Sequence, residues 1–386
     1  MLASSYRLYF ARLFAVLLCF GLTAPALHAG NGATDADKTR TPAVTNPARH
    51  LEPAYSVQVG IDGEVFPALA NYASLQSPQD RTLPTVSVKI ANHSDAMLHD
   101  TVRVRVRGWS DEEIQSADVN AGEIRNLAFA PTFLPRLFNN REITAATAVV
   151  TVYDASNRVV YATTAPVRLR SVDDMYWGPG FKYSRFIASW VTPHDPAVEQ
   201  VLTRAKEFMP GRRLPGYEPW RSAAEQKDST LQQARAIYHA LQEKGVSYVK
   251  SSITFGKNTS VTERVRMPYE SLHQVSANCI DGVVMYASLF ENLGMDAEVI
   301  LVPGHAYVGV RASQTGSDFV YFDTVLTGRA SFDTALQTAN DGLKRLNPKD
   351  VMHIMIPDAR NGGVFPMPGP DTESGIKAVM ASSRAE

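Results

Sequence analysis

The spacing of apolar residues changes its period partway along this chain, and that change constrains the fold more than any other feature. From about 55 to 172 the period is two, and in "TVRVRVRGW" Val102, Val104 and Val106 alternate with three arginines. Alternation of this kind is typical of strands with one buried and one solvated face. Several such short strands, without a strong helix signal, predict a β-sandwich of immunoglobulin-like type over residues 55–172.

Beyond residue 172 the pattern becomes one of alternating helices and strands. Residues 196–209 are predicted to be helical, and so are residues 229–244, with Asp228 or Ser229 as N-cap and Gly245 just past the end. Residues 361–386 are rich in Gly, Pro, Ser and Ala, and we predict a flexible C-terminal tail there. The chain is therefore predicted to be α+β, with a second domain over residues 173–360.

The N-terminal residues have the layout of a secretory signal. Arg7 and Arg12 precede an apolar run over 13–22, and small residues follow it. The run is too short for a membrane span. We predict a signal peptide over 1–29 and a linker or disordered segment over 30–54, which is rich in Asn, Thr, Ala, Pro and charge. The expected location is therefore the periplasm or the extracellular medium, without a membrane span.

Charge and cysteine content exclude several classes of function. The formal net charge is −1, which gives no indication of a nucleic-acid partner or a polybasic membrane contact. There are two cysteines, and Cys19 lies within the predicted signal, so Cys279 has no partner for an intrachain disulfide. The nine histidines are scattered without paired spacing, and we predict no metal and no cofactor.

The remaining cysteine is placed at the start of a predicted helix. In "SANCIDGVVMYASLFENLG", residues 279–293 are predicted to be helical, with one apolar stripe of Ile280, Val283, Val284 and Ala287. Gly294 ends the helix, and Ser276 or Asn278 can cap its start. In the first turn, the helix dipole and the free N–H groups favour a thiolate at Cys279. The alternative is a buried, inert cysteine, which is common.

The following segment contains a histidine and an aspartate that a hairpin can bring together. "HAYVGVR" and "FVYFD" read as two strands joined by a turn around Gln314. A hairpin symmetric about Gln314 pairs Val308 with Val320 and His305 with Asp323, and directly opposed residues share a face. A carboxylate at that position orients the imidazole ring and stabilises its cation.

Three motifs in this order resemble the transglutaminase-like superfamily of papain-type cysteine enzymes. The motifs are "ANCIDG", "HAYVGV" and "FDTV", and the resemblance extends over roughly 175–345. Asp281, two residues after the cysteine, also recurs in bacterial members, and we expect it to orient the loop. The chain departs from the usual pattern with Tyr307 in place of Trp and with Asn before the cysteine. Tyr248 is a candidate for the aromatic residue of the oxyanion hole.

The resemblance implies acyl transfer at a peptide or amide bond through a catalytic triad of Cys279, His305 and Asp323. Hydrolysis by a peptidase or amidase is the expected reaction, with a peptide or protein of the cell envelope as a possible class of substrate. Two alternatives remain open. An amine in place of water makes the protein a transglutaminase, and a silent triad makes it a non-catalytic envelope binding or scaffold module.

Overall fold

The computed structural model describes residues 52–250 and 261–369, and it is a mixed α/β structure with several separate sheets. This is in keeping with the predicted α+β class. The predicted signal peptide, Cys19 and most of the predicted linker lie outside the described residues, as does the tail beyond residue 369. Among the described residues, no helix has the length and apolar character needed to cross a membrane.

Residues 52–172, here called the sheet region, form two sheets. One has three strands in the order β1-β3-β6, and the other has five in the order β2-β8-β7-β4-β5. In chain order the elements are β1 (Ala54–Val59), β2 (Glu64–Val65), α1 (Pro67–Ser74), β3 (Val86–Ala91), β4 (Leu98–Val106), β5 (Glu113–Val119), β6 (Ile124–Phe129), β7 (Thr144–Tyr153) and β8 (Val159–Leu169).

The predicted alternation of β4 is present in the structure. Val102, Val104 and Val106 are fully buried, whereas Arg105 and Arg107 are exposed. Buried side chains from both sheets belong to one apolar core, which continues into the rest of the molecule. Helix α1 was not predicted, because most of its side chains are buried and no helical period of apolar and polar residues marks it.

Residues 173–369, here called the mixed region, carry a four-stranded antiparallel sheet in the order β15-β14-β13-β16. Helix α5 packs against β13 and β14, and α6 packs against β15. The elements are β9 (Asp174–Tyr176), α2 (Pro196–Ala205), α3 (Ala223–Lys244), β10 (Ser247–Tyr248), β11 (Thr262–Arg264), α4 (Pro268–His273), β12 (Ser276–Ala277), α5 (Cys279–Asn292), β13 (Ala297–Val302), β14 (His305–Arg311), β15 (Phe319–Phe322), α6 (Phe332–Arg345), β16 (Met352–Met355) and α7 (Ile356–Asn361).

Two helix predictions in the mixed region need correction. Helix α3 begins six residues earlier than predicted, because Ser222 caps it in a reciprocal capping box with Glu225. It ends as predicted at Gly245, whose φ is +89°. Helix α2 ends at Ala205, and the last residues predicted to belong to it form a short 3-10 turn over Lys206–Phe208.

The predicted C-terminal tail is ordered over its first residues. Val364 and Met367 are buried, and the Met367 N–H donates a hydrogen bond to the Ser189 carbonyl at 2.9 Å. Both side chains belong to the apolar core, and Arg360 Nη1 donates a hydrogen bond to the Val364 carbonyl at 2.8 Å. Residues 361–369 therefore make contacts with the mixed region, and the flexibility predicted for the tail stays a prediction.

Candidate active site

Cys279 is the first residue of α5, as predicted, and its helix ends within one residue of the predicted position. Asn278, one of the two predicted caps, is the N-cap. Its side chain accepts a hydrogen bond from the Asp281 N–H at 2.8 Å, and the Asp281 carboxylate accepts one from the Asn278 N–H at 3.1 Å. The Cys279 N–H, in the first turn, has no partner within its own helix. The thiol is free and half-buried beside this N-terminus.

Arg266 holds Asp281 in this position. The carboxylate accepts hydrogen bonds from the Arg266 backbone N–H at 2.8 Å and from its Nε at 2.9 Å, and both residues are buried. Burial raises the pKa of Asp281, while these hydrogen bonds oppose the rise. The carboxylate is thus occupied in bracing the loop before Cys279, which is the role expected for it from the sequence.

The hairpin that carries His305 has a different register from the predicted one. Val308 lies opposite Phe322 rather than Val320, because the turn closes through a hydrogen bond from the Ala312 N–H to the Asp318 carbonyl. The shift is two residues, so every side chain keeps its face of the sheet. His305 and Asp323 are therefore diagonal neighbours, and their Nε2 and Oδ1 atoms are 3.1 Å apart.

The segment after β15 brings Asp323 close to α5. The Asp323 carboxylate caps a 3-10 turn over Thr324–Leu326 by accepting a hydrogen bond from the Val325 N–H at 3.2 Å. The Thr324 hydroxyl then donates to the Cys279 carbonyl at 3.4 Å. This approach requires Gly282, since a Cβ atom there would lie 2.6 Å from the Thr324 Oγ1. The sequence reasoning missed Gly282, because its partner lies 42 positions further along the chain.

The electrostatics of His305 tie the three predicted residues together. Burial lowers the pKa of His305, but hydrogen bonds to the side chains of Asp323 and Cys279 outweigh this effect and raise it to about 9. Since Nε2 faces Asp323, Nδ1 is the ring nitrogen left for the thiol. Cys279, His305 and Asp323 thus form one connected group, and the His305 side chain retains 25% of its accessible surface.

Two aromatic residues flank this group. The Tyr307 ring meets the His305 ring edge-on at a centroid distance of 4.7 Å, and its hydroxyl abuts Gly342 of α6. Tyr248 belongs to β10, which pairs in parallel with β12 and places Tyr248 beside Ala277. Tyr248 is half exposed, so an aromatic surface lies next to the loop that precedes Cys279.

A second imidazole–carboxylate pair lies on the same sheet. His353 Nδ1 is 2.8 Å from Glu298 Oε1, and the carboxylate is buried while half of the imidazole is exposed. This pair was not singled out in the sequence. In the part of the chain that the structure describes, no group of three or more His, Cys, Asp or Glu side chains is arranged to hold a metal ion.

Comparisons with known proteins do not identify a family. No protein-family model matches this chain, and no curated protein matches it. One similar solved structure is the FixG-related protein from Vibrio parahaemolyticus, which is 15% identical and has a TM-score of 0.18. The alignment covers 31% of this chain and 95% of that one. A TM-score this low carries no argument about fold or function.

Proposed function

We propose that this protein is a thiol-dependent acyl-transfer enzyme that hydrolyses peptide or amide bonds outside the cytoplasm. In this proposal the mixed region has a transglutaminase-like, papain-type fold, and the sheet region is an immunoglobulin-like sandwich. One observation carries the proposal. A free cysteine at a helix N-terminus lies close enough to His305 to raise the pKa of that histidine, and a buried aspartate holds the histidine through its Nε2.

The geometry supports a two-step reaction. The Cys279 sulfur attacks the substrate carbonyl carbon, and the electron pair of the C=O bond moves to the oxygen. The Cys279 N–H is a hydrogen-bond donor for that oxyanion, an interaction worth about 3 kcal/mol in comparable enzymes. As the C–N bond breaks, His305 gives its proton to the leaving amine, and a thioester remains.

In the second step, water attacks the thioester carbonyl while His305 accepts a proton from it. The C–S bond breaks, the carboxylic acid leaves, and the thiolate–imidazolium pair is restored. Asp323 holds the His305 ring through both steps, as the third residue of such triads does. An amine in place of water would give an amide product by the same route.

The first experiment is the rate of iodoacetamide modification of the folded protein as a function of pH. We expect Cys279 to be modified rapidly near neutral pH, because the helix N-terminus and His305 favour its thiolate. Peptide amides, with and without an added primary amine, then separate hydrolysis from transfer, and Cys279→Ser is the control for background reaction. A thiol that is modified slowly in the folded protein, and no faster than in His305→Ala, would overturn the proposal and leave a non-catalytic binding module.

A further inference from the structure

An arginine of the sheet region reaches across to the segment that precedes Cys279. Arg141 lies in the loop before β7, and this loop is fixed by neighbouring Asn140, whose carbonyl accepts a hydrogen bond from the Val172 N–H at 2.8 Å. Arg141 Nη1 contacts the carboxylates of Asp173, at 3.0 Å, and of Glu270. Its Nη2 donates to the Tyr269 hydroxyl at 2.5 Å.

Directly bonded groups connect this arginine to the start of α5. Glu270, in the first turn of α4, also accepts a hydrogen bond from the Met267 N–H at 3.1 Å. The residue before Met267 is Arg266, which grips the Asp281 carboxylate through its backbone and its side chain. Asp281 in turn caps the helix that begins with Cys279. Each step is a hydrogen bond, an ion pair or a covalent neighbour.

Arg141 stabilises the ionised form of Glu270, on which this chain of contacts depends. Burial raises the pKa of Glu270 to about 7, nearby Asp173 adds to the rise, and Arg141 opposes it. The other charged or titratable groups that face the cluster are Arg264, bonded to Asp173 at 3.1 Å, and Tyr269. Without Arg141, the buried carboxylate of Asp173 and the largely buried carboxylate of Glu270 would each have one partner fewer, and Glu270 would remain protonated to a higher pH.

We infer that Arg141 is a positioning residue through which the sheet region holds the loop before Cys279 in its reactive geometry. The inference rests on the proposed function, since it assigns the sheet region a role in preparing that nucleophile. It does not require the sheet region to touch substrate. It makes the two regions act together, because Arg141 belongs to the sheet region and Cys279 to the mixed region.

The test compares Arg141→Ala with Arg158→Ala in the full chain. Arg158 is the matched control, since it also belongs to the sheet region and pairs with a carboxylate, Asp154 at 2.8 Å, but lies in the turn between β7 and β8. Amide hydrogen exchange over residues 266–282 reports the geometry of the loop without any substrate. Iodoacetamide modification of Cys279 between pH 5 and 9 reports the reactivity of the thiol.

We expect Arg141→Ala to accelerate exchange over 266–282 at least tenfold and to slow modification at pH 7 at least fivefold. Arg158→Ala should match the wild type in both. The pH at which the loop becomes protected should rise in Arg141→Ala, and Arg141→Lys should restore that pH because it keeps the charge. Glu270→Gln should abolish this pH dependence of protection, because the glutamine side chain does not ionise.

The experiment distinguishes a failure of this inference from a failure of the proposed function. Exchange over 266–282 that is the same in Arg141→Ala as in Arg158→Ala would overturn the inference, whatever the thiol does. A wild-type thiol that His305→Ala leaves unchanged would overturn the proposed function, while the exchange result would still show whether Arg141 holds the loop. If Arg141→Ala fails to fold, Glu270→Gln against Arg158→Ala provides the comparison, because it removes the carboxylate that Arg141 pairs with.

Discussion

Two imidazole–carboxylate pairs lie on one face of the β13–β16 sheet, and they differ in what the imidazole meets on its other side. His305 is opposite Val302 and His353 is opposite Ile300, so the two histidines share a face. His353 is even closer to its carboxylate, Glu298, at 2.8 Å. A histidine oriented by a buried acid is therefore not distinctive in this molecule.

The difference between the pairs is the helix N-terminus beside one of them. The side chains of Asp323 and Cys279 both interact with His305, and together they raise its pKa to about 9 against the opposing effect of burial. The His353 ring instead has half of its surface exposed to solvent. The neighbouring thiol therefore distinguishes the candidate active site from the second pair, since both pairs have an imidazole and a carboxylate.

The largest expected effect comes from removing the imidazole of each pair and measuring the reactivity of Cys279. His305→Ala should slow iodoacetamide modification of Cys279 at pH 7 about 100-fold, because the thiolate loses its cationic partner. His353→Ala, the matched control, should change the rate by less than about twofold. Equal rates in the two variants would show that the Cys279 thiol does not depend on its neighbouring imidazole.

A smaller effect is expected at the carboxylates. Asp323→Asn should lower the pKa of His305, because a neutral amide stabilises the imidazolium less than a carboxylate does. The His305 ring signals in an NMR pH titration measure this change, and modification of Cys279 should slow about tenfold. Glu298→Gln should leave the His305 titration where it is, and a shift of equal size there would contradict the assignment of Asp323.

The smallest expected effect is on stability as a function of pH. The pKa of His305 is raised in the folded state, so its contribution is fully present below about 6.5 and is lost as the pH rises through about 9. One pKa unit corresponds to about 1.4 kcal/mol, and partial solvation of the ring reduces the sum, so we expect a loss of about 2 kcal/mol. Urea unfolding at several pH values measures it.

The control for this prediction is the same series with His305→Ala. This variant should lack the part of the pH dependence between about 6.5 and 9 and keep the rest. A wild-type protein whose free energy of unfolding rises over that interval would contradict the assignment, because a raised pKa of a histidine produces a fall.

Features with a local signal could be predicted from the sequence. The alternation of β4, the cap at Asn278 and the end of α5 near Gly294 depend on residues a few positions apart, and all three are confirmed. His305 and Asp323 were placed together on an incorrect register. Their contact survives because the error was an even number of residues, which keeps a side chain on its face of a strand.

Features that depend on distant partners could not be predicted. The contact between Arg141 and Tyr269 joins residues 128 positions apart, and neither residue has a neighbour in sequence that reveals it. Helix α1 was missed because it is buried on most sides, and a buried helix has no polar face from which its period can be read. Tertiary packing decides such features.

Gly282 has a consequence for the interpretation of related sequences. The turn that carries Asp323 comes this close to α5 because position 282 has no side chain, and a Cβ atom there would lie only 2.6 Å from the Thr324 Oγ1. A relative that keeps the cysteine, the histidine and the aspartate but has alanine at this position would retain every residue by which such an enzyme is recognised. Its aspartate would nevertheless be displaced, so an inactive homologue could be mistaken for an active one on the motif alone.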